Sequence, residues 1–563
     1  MSHARSQPKR RQEHRASRHE RAPRPAVPPW LANALMLGLP ALAALYVHLA
    51  ALVGFYSPDD LILLERVRGI VPFPDTLWRF LSGRAFWVVL FPVFGPDPFA
   101  WHALSLLLHV AATVLVGLFA RRLGASRATT FLTAFLFGAS AQARTVVWQV
   151  SGAGEMLALL ALLGALLVML ARHSARSLGV AGALHAVGLL CKETIGLAPL
   201  ALAWARPPQG GQRVSWRALA VPLSLTAVLV AYLVATRSHT GSLGGEAYAL
   251  GFGRHVFDHL LTYALWSSDL VHLFAGAGSP LPWPWALGAA ALIVALALFA
   301  WRSGSVPARV GLTLWLLLLL PVLPLKHALY EHYVYAARAG WSLALVTALL
   351  TLVRGLVPGR GAFATDRASA WVTVGLVSVL YGVTAALYLS AMQNARMPGN
   401  DLPRDTFLRK MEVARNAASG LQGQLPLVPS RLVVYAPPGE TVLFSVQTGR
   451  NIAPSEASGN EPRYTLINAV LDEGRGLRAL YPQLTDVRFD EHVVPADLGA
   501  QIAVNSADGH IVACGTGAEA HARAAALWSD HGATQAARTH LDEALQLYPG
   551  SAVLLTARDA LAH

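Results

Sequence analysis

The sequence has very little cysteine and few charged residues. Only two of its 563 residues are cysteine, Cys191 and Cys514, and they lie in distant parts of the chain. This excludes a disulfide framework and a clustered thiolate metal site. Charged residues make up 14% of the chain, whereas soluble domains carry about a quarter. The low share of charge excludes an ordinary soluble protein.

What the chain has instead is long apolar stretches. Hydrophobic residues account for 54% of it, and uninterrupted runs occur at Trp30–Phe55, Pro98–Ala120 and Gly311–Leu325. Each run is about as long as a bilayer is thick. We therefore expect most of the chain to lie in a membrane.

Residues 1–29 form a basic tail that is rich in Pro and Ser. Against Glu13 and Glu20 it carries eight basic residues: Arg5, Lys9, Arg10, Arg11, Arg15, Arg18, Arg21 and Arg24. This composition predicts a disordered segment. An RNA-binding arm is one interpretation of the formal charge of +13, but a cytoplasmic anchor that obeys the positive-inside rule is simpler, and no nucleic acid partner is expected. The apolar run that follows is too long for a cleaved signal peptide.

Arginine clusters alternate with the apolar runs and predict about 11 crossings that leave everything beyond Met392 outside. In this trace Ser177–Trp204 is a hairpin of two short helices that turns at Lys192 and Glu193. Val256–Phe274 then lies in the membrane interface. The alternative trace makes Ser177–Trp204 one long helix and Val256–Phe274 a span, which puts the Lys192 and Glu193 charges in mid-bilayer.

The pattern therefore predicts an α-helical polytopic membrane protein with a soluble C-terminal α/β plus helical domain. We expect a tail over residues 1–29, a transmembrane domain over 30–391, an extracytoplasmic α/β module over 392–517 and a helical pair over 518–563. Spacing in the last segment is similar to one tetratricopeptide unit: Trp528, Gly532, Ala537, Ala544 and Pro549. A single unit cannot bury its apolar face alone, so it packs on the module or binds a protein partner.

Adjacent carboxylates follow the first span at Asp59 and Asp60. One of two such groups can take the proton of an acceptor hydroxyl while the other fixes the acceptor or a cation. A helix cap is the competing interpretation, because Ser57-Pro58-Asp59-Asp60 before an apolar run is also a typical helix start.

Ionisable groups also gather at the side of the membrane that the trace places outside. Charges near hydrocarbon either pair with one another or line a functional cavity. The group includes Arg84, His102, Arg144, Glu155, Lys192, Glu193, Arg237, Arg254, Lys326, Glu331, His332 and Arg338. His102 and His109 share a helix face, and helix packing explains them better than metal ligation, because no third ligand follows at helical spacing.

The order of these features resembles the GT-C glycosyltransferases, and within them the membrane O-mannosyltransferases that carry tetratricopeptide repeats. The resemblance covers Trp30–Leu389. It rests on Asp59-Asp60, the His102/His109 helix, Trp148-Gln-Val-Ser-Gly152 with Glu155, Leu190-Cys-Lys-Glu193 with Pro199, and Pro321-Val-Leu-Pro324 leading to Tyr330-Glu-His-Tyr-Val-Tyr335.

The resemblance implies transfer of a sugar from a polyprenyl-phosphate carrier to a hydroxyl of a protein or envelope glycan. It places the reaction at the outer face of a bacterial inner membrane, with a cytoplasmic N-terminus and a periplasmic C-terminal domain. Asp59 or Asp60 would be the general base and Glu155 a second acid near the acceptor or a metal, whose requirement stays open. The expected donor-phosphate ligands are Arg237, Arg254, Lys326, His332 and Arg338, and the expected site-lining residues are His102, Lys192, Glu193 and Glu331.

Three positions depart from the family pattern. Ala139-Ser140 stands where relatives have His-Pro, Gly152-Ala153 replaces Gly-Arg, and Glu331-His332-Tyr333 replaces Glu-Arg-Tyr. The last change exchanges a permanent cation for a side chain that titrates near neutrality. A transporter or flippase of a lipid-linked anion and a non-enzymatic scaffold are the competing functions, although we find no internal repeat of the kind that transporters show.

Overall fold

The computed structural model describes residues 28–171, 174–205, 214–240, 249–269, 283–326, 329–356, 363–397, 401–424, 430–436, 443–445, 450–452, 466–490, 492–506 and 508–561. The predicted disordered tail lies outside these ranges, apart from its last two residues. So does the end of the Val256–Phe274 segment.

Most of the chain is helical up to Gln424. The helices before the first strand are α1 Pro29–Val47, α2 Pro58–Val67, α3 Phe86–Phe94, α4 Pro98–Arg122, α5 Arg127–Gly138, α6 Arg144–Val147, α7 Ala153–Ala171, α8 Ala175–Cys191, α9 Trp216–Thr240, α10 Arg254–Ser268, α11 Trp283–Arg302, α12 Val306–Leu319, α13 Val334–Leu356, α14 Phe363–Asn394 and α15 Thr406–Gln424.

Within the described ranges, six helical segments are long and apolar enough to cross a membrane. They are Asn33–Val53, Pro98–Arg122, Val150–Ala171, Trp216–Thr236, Glu331–Arg354 and Ala370–Asn394. Shorter apolar helices occur at Leu81–Phe94, Ala175–Cys191, Ala290–Arg302 and Val306–Leu319. The chain is thus a helical membrane protein, while the count of about 11 crossings stays a prediction.

Local sequence explains where these helices start and stop. The Asp97 carboxylate accepts the Phe99 N–H at 3.0 Å and caps α4. Arg121 and Arg122 occupy its last turn, where cations stabilise the helix dipole. Ser126 caps the next helix by accepting the Thr129 N–H at 3.1 Å. These signals place a tight connection between α4 and α5.

The helix over Ala175–Cys191 ends where the hairpin trace predicts. Lys192 is extended, and two 3₁₀ segments, Glu193–Ile195 and Ala198–Trp204, follow it. The continuous helix of the alternative trace is therefore wrong, while the membrane topology of the two traces stays a prediction. The segment Ala198–Trp204, which we expected to be the second short helix of a hairpin, is 3₁₀ and not α-helical.

Glycines let α12 and α13 approach each other closely. A Cβ atom built on Gly311 would lie 2.6 Å from the Gly340 carbonyl oxygen, and one on Gly340 would lie 2.5 Å from the Gly311 oxygen. Only small residues permit such backbone contact between membrane helices. The crossing fixes α13, whose preceding turn carries Glu331 and His332.

The C-terminal part contains a sheet with helices on both faces. The strands of this part of the chain are β1 Arg431–Tyr435, β2 Leu443–Ser445, β3 Arg450–Ile452, β4 Asp486–Asp490, β5 Gln501–Asn505 and β6 Ile511–Thr516. Strands β2 and β3 pair with each other in a separate two-stranded sheet. The helices of this part are α16 Leu466–Val470, α17 Arg475–Leu480, α18 Gly517–Asp530, α19 Thr534–Leu547 and α20 Ala552–Ala560. The four-stranded sheet has the order β4-β1-β5-β6, in which β1 runs parallel to β4 and β5 while β6 is antiparallel to β5.

Strand β1 buries side chains on both faces, as the two-residue period of a strand requires. Leu432 and Val434 join a cluster that also contains Leu61 of α2. Val433 and Tyr435 join a second cluster with α18 to α20. Helices α18 to α20 therefore pack on the sheet, one of the two outcomes expected from the sequence.

Two buried histidines join α18 to α19. His521 Nδ1 and His540 Nε2 are 3.1 Å apart. Burial lowers the pKa of both imidazoles, and the neighbouring His521 lowers that of His540 further. The unfolded segment binds protons at these histidines that the folded segment does not. The contribution of the neutral histidines to stability is therefore fully present above pH 6.5, the usual histidine pKa, and is lost as the pH falls toward their lowered pKa values.

We therefore expect hydrogen-exchange protection of α18 and α19 to decrease from pH 7 to pH 5. A His521→Leu/His540→Phe double variant should lose most of this dependence. Exposed His531 provides the control, and His531→Gln should behave as wild type. An unchanged slope in the double variant would show that other groups cause the dependence.

Candidate active site

A cavity of about 520 Å³ lies between α2, the segment over residues 73–84 and the turn before α7. Its polar and aromatic lining comprises Asp59, Arg66, Phe73, Asp75, Thr76, Trp78, Arg79, Phe80, Ser82, Arg84, Gln149, Ser151, Glu155, Lys192 and His332. Four residues predicted from the sequence, Asp59, Glu155, Lys192 and His332, thus line one cavity.

Asp60 caps α2 and is buried. Its carboxylate accepts the Ser57 N–H at 2.9 Å, and the Ser57 hydroxyl accepts the Asp60 N–H at 3.3 Å, which completes a capping box. The other carboxylate oxygen accepts the Ser151 N–H at 2.6 Å. Burial raises the pKa of Asp60 to about 6, and the hydrogen bonds from Ser57 and Ser151 oppose the shift. Asp60 therefore ties the start of α2 to the turn that precedes α7.

Asp59 has a different environment, although it is the adjacent residue. Its side chain is exposed and lines the cavity. Its carboxylate accepts a hydrogen bond from Gln149 Nε2 at 3.1 Å. The helix-cap interpretation thus applies to Asp60, whereas Asp59 is placed to exchange a proton with a molecule in the cavity.

The turn over residues 149–152 depends on a glycine. A Cβ atom on Gly152 would lie 2.2 Å from the Val146 carbonyl oxygen. Any side chain there would push the turn away from α6. Because this turn supplies Gln149 to Asp59 and Ser151 to Asp60, Gly152 contributes to the position of both carboxylates.

Two cations of the lining are matched by carboxylates. Lys192 Nζ lies 2.7 Å from Glu155 Oε1, and both side chains are buried. Arg79 donates two hydrogen bonds to Glu193, at 2.8 and 3.2 Å. Burial alone would raise the pKa of Glu193, but the charge and hydrogen bonds of Arg79 outweigh it and lower the pKa to about 2. Both cations are therefore already paired with carboxylates of the protein.

Two other cations of the cavity have no carboxylate within 4.0 Å in the part of the chain that the structure describes, namely Arg66 and Arg84. Exposed Arg84 lies over the rings of Phe73 and Phe80, at 5.6 and 5.9 Å from their centroids. His332 stacks on Tyr330. These three side chains line the cavity together and could contact an anion bound in it.

The other expected donor-phosphate residues lie elsewhere. Arg338 is buried, 2.6 Å from Asp269, and also donates to the carbonyl oxygens of Trp266, Ser267 and Leu136. Arg254 is exposed on α10, 3.6 Å from Asp258, and Lys326 is exposed beside the start of that helix, where its N–H donates to Ala249. Arg237 belongs to α9, and its side chain lies outside the described residues. Neither Arg254, Lys326 nor Arg338 lines the cavity.

The remaining predicted site-lining residues have structural contacts. Arg144 pairs with Glu331 at 2.8 Å and with Asp405 at 3.4 Å. His102 Nε2 donates to the Phe55 carbonyl oxygen at 3.1 Å. His109 contacts the Tyr335 hydroxyl at 3.0 Å, as the helix-packing interpretation predicts. In the described ranges no group of three or more His, Cys, Asp and Glu side chains could hold a metal ion.

Sequence reasoning did not single out Arg66 and Arg79. Arg66 follows Asp59 by seven positions on α2, so two helical turns place both residues on one face, and this spacing was a usable signal. Arg79 has a left-handed backbone with φ of 52°. No local pattern in the sequence indicates that conformation.

Comparison with solved structures identifies similar membrane proteins. The Archaeoglobus fulgidus oligosaccharyltransferase tethered to an acceptor peptide has a TM-score of 0.40 and 14% identity, over 72% of this chain and 62% of that one. ArnT from Cupriavidus metallidurans bound to undecaprenyl phosphate has a TM-score of 0.42 and 13% identity, over 84% and 93%. AglB from A. fulgidus with an inhibitory peptide and a dolichol-phosphate has a TM-score of 0.38 and 14% identity, over 71% and 62%.

The chain spans about 62% of the length of the archaeal proteins it matches. No protein-family model matches the chain, and no curated protein is similar to it in sequence.

The buried ion pair generates a prediction about stability. Removing one partner leaves an uncompensated charge, so Glu155→Gln should lower the apparent free energy of unfolding in detergent by about 3–5 kcal/mol. A Lys192→Met/Glu155→Leu double variant should recover most of the loss. The control is Glu412→Gln, which breaks a half-exposed pair with Arg415 and should cost about 0.5 kcal/mol or less. Equal stability of Glu155→Gln and wild type would contradict the pairing argument.

Proposed function

We propose that this protein transfers a sugar from a polyprenyl-phosphate-linked donor to a hydroxyl acceptor, with Asp59 as the general base. The observation that carries the proposal is the exposed Asp59 carboxylate in a cavity that also contains Arg66, Arg84 and His332. In the reaction the acceptor oxygen attacks the anomeric carbon and the bond from that carbon to the phosphate oxygen breaks. The phosphate leaves with the electron pair and Asp59 takes the hydroxyl proton.

The lipid part of the donor needs an apolar surface next to the phosphate site. Arg84 lies just before α3, whose side chains Val88, Val89 and Val93 are exposed. Exposed aliphatic side chains on a helix of a membrane protein suit contact with hydrocarbon. A polyprenyl chain along α3 would therefore bring its phosphate to Arg84.

The location of the reaction is part of the proposal. The alternation of arginine clusters supports the outer face of a bacterial inner membrane, with the region beyond Met392 in the periplasm. The acceptor is a hydroxyl of a protein or of an envelope glycan or lipid. Glu155, which is paired with Lys192, would maintain the shape of the cavity.

Replacing Asp59 tests the base directly. Asn keeps the size and the acceptor oxygen for Gln149 but cannot take up the proton, so Asp59→Asn should lower kcat by about 10²- to 10⁴-fold. The matched control is Asp97→Asn, which keeps a capping oxygen for α4 at an exposed position outside the cavity and should leave kcat unchanged. Transfer is measured with purified protein and a polyprenyl-phosphate-linked sugar. Near-wild-type turnover by Asp59→Asn would refute the base assignment.

The phosphate site is tested through the Michaelis constant for the donor. Arg84→Gln removes a charge-assisted contact and should raise this constant about tenfold or more. Arg254→Gln removes the same charge from a residue outside the cavity and should leave the constant unchanged. If Arg254→Gln had the larger effect, the phosphate would bind near α10 instead of α3.

A further inference from the structure

The segment over residues 73–84 brings three aromatic residues, Phe73, Trp78 and Phe80, to the lining of the cavity. Arg84, which also lines the cavity, lies over the rings of Phe73 and Phe80. The third ring, Trp78, contacts a different cation. The Arg79 guanidinium lies 4.4 Å from the centroid of the Trp78 ring.

The position of Arg79 is fixed by an ion pair and by its backbone. Its guanidinium donates to both carboxylate oxygens of Glu193, at 2.8 and 3.2 Å. Its φ of 52° lies in the left-handed region, which is strained for a residue that has a side chain. Strain of this kind is found mainly at binding and catalytic sites, where the surrounding structure maintains it. The turn at Trp78 and Arg79 is therefore a candidate for contact with a ligand.

Hydrogen bonds fix the backbone on the other side of Trp78. Its own N–H donates to Thr76 Oγ1 at 3.1 Å. The Leu77 N–H donates to the hydroxyl of Tyr232 on α9 at 3.0 Å. The turn is thus attached to α9 before Trp78 and to Glu193 after it, while the Trp78 ring is half-buried in the cavity lining. A ring that is already fixed loses little freedom when a ligand stacks on it.

We propose that Trp78 is the stacking platform for the sugar of the donor and that this sugar is a pyranose. This inference rests on the proposed function. A pyranose presents C–H groups on a face of its ring, and these groups pack favourably on the negative face of an aromatic ring. Arg79 covers one face of Trp78, which leaves the opposite face for the sugar. Asp75 and Thr76 line the same cavity and offer oxygen atoms to the sugar hydroxyls.

The order of residues along this segment suits a sugar that is linked to a phosphate. Because the sugar is bonded directly to the phosphate, its platform must lie close to the phosphate ligand. Trp78 and Arg84 belong to one segment and line one cavity. The cavity lies between this segment and α2, which carries Asp59. A sugar stacked on Trp78 would therefore lie between its own phosphate site and the proposed base.

Binding measurements on the intact protein in nanodiscs test the inference. The probes are a polyprenyl phosphate without a sugar and the same carrier linked to glucose, mannose, galactose or N-acetylglucosamine. Wild type should bind at least one sugar-linked probe about tenfold more tightly than the free carrier phosphate. Trp78→Leu removes the aromatic face and should abolish most of this difference without changing the affinity for the free carrier phosphate. Arg84→Gln should instead weaken the binding of both kinds of probe.

Three further variants separate stacking from a general effect on folding. Trp78→Phe keeps an aromatic ring and should stay within about threefold of the wild-type difference. Arg79→Gly suits the left-handed backbone but removes the guanidinium that fixes the ring, so it should fold and lose most of the difference. Trp204→Leu is the matched control, because Trp204 also lies near an arginine, 5.8 Å from Arg309, but outside the cavity. It should bind all probes as wild type does.

Two results would overturn the inference. One is wild-type protein that binds no sugar-linked probe more tightly than the free carrier phosphate. The other is a folded Trp78→Leu variant, or a folded Arg79→Gly variant if Trp78→Leu does not fold, that keeps the full difference. Failure of the proposed function is distinguishable, because Asp59→Asn would then retain wild-type transfer, whereas the binding difference does not depend on a base.

Discussion

A charge buried in an apolar body needs a partner of opposite sign, and this constraint organises the molecule. Lys192 with Glu155, Arg338 with Asp269 and Arg144 with Glu331 each satisfy it. Every such pair joins residues that are far apart in the chain. Each pair therefore joins parts of the chain that are distant in sequence, and the Lys192–Glu155 pair does so in the wall of the cavity.

The same constraint distinguishes charged side chains that are already paired within the protein from those that could contact a bound molecule. A side chain that is already neutralised by a close partner contributes little to binding a further ion. Of the charged side chains that line the cavity, Asp59, the proposed base, and Arg84 are exposed, whereas Arg66 is half-buried. The difference between Asp59 and Asp60 shows how local this separation is, since adjacent residues of one helix turn differ only in the direction of their side chains.

The sequence predicted the features that depend on short-range patterns. The cap at Ser57 and the interruption at Lys192 both depend on residues within a few positions of one another. The cavity residues Asp59, Glu155, Lys192 and His332 were also found, because charges in apolar surroundings are conspicuous. The donor-phosphate residues were less predictable. Sequence indicates that Arg338 and Arg254 are cationic, but only the fold shows that one is enclosed with Asp269 and the other is exposed on α10.

The departures from the GT-C pattern that the sequence resembles differ in their structural consequences. Where relatives have Gly-Arg, this chain keeps the glycine that the turn at Val146 requires and loses the cation. Where they have Glu-Arg-Tyr, it has His332, and the neighbouring Glu331 is bound by Arg144. This chain thus has the glycine-dependent turn without an adjacent cation, and the Glu331 carboxylate beside His332 is already paired with Arg144.

The buried cluster that joins α2 to α15 and β1 continues the hydrophobic core across the domain boundary that the sequence predicts at residue 392. Leu61 and Tyr56 from the membrane part contribute to the same apolar interior as Leu432 and Val434 from the sheet. Separating the two parts would expose these side chains to water on both sides of the cut. The C-terminal part therefore shares its hydrophobic interior with the membrane part, and the two should unfold in one cooperative step.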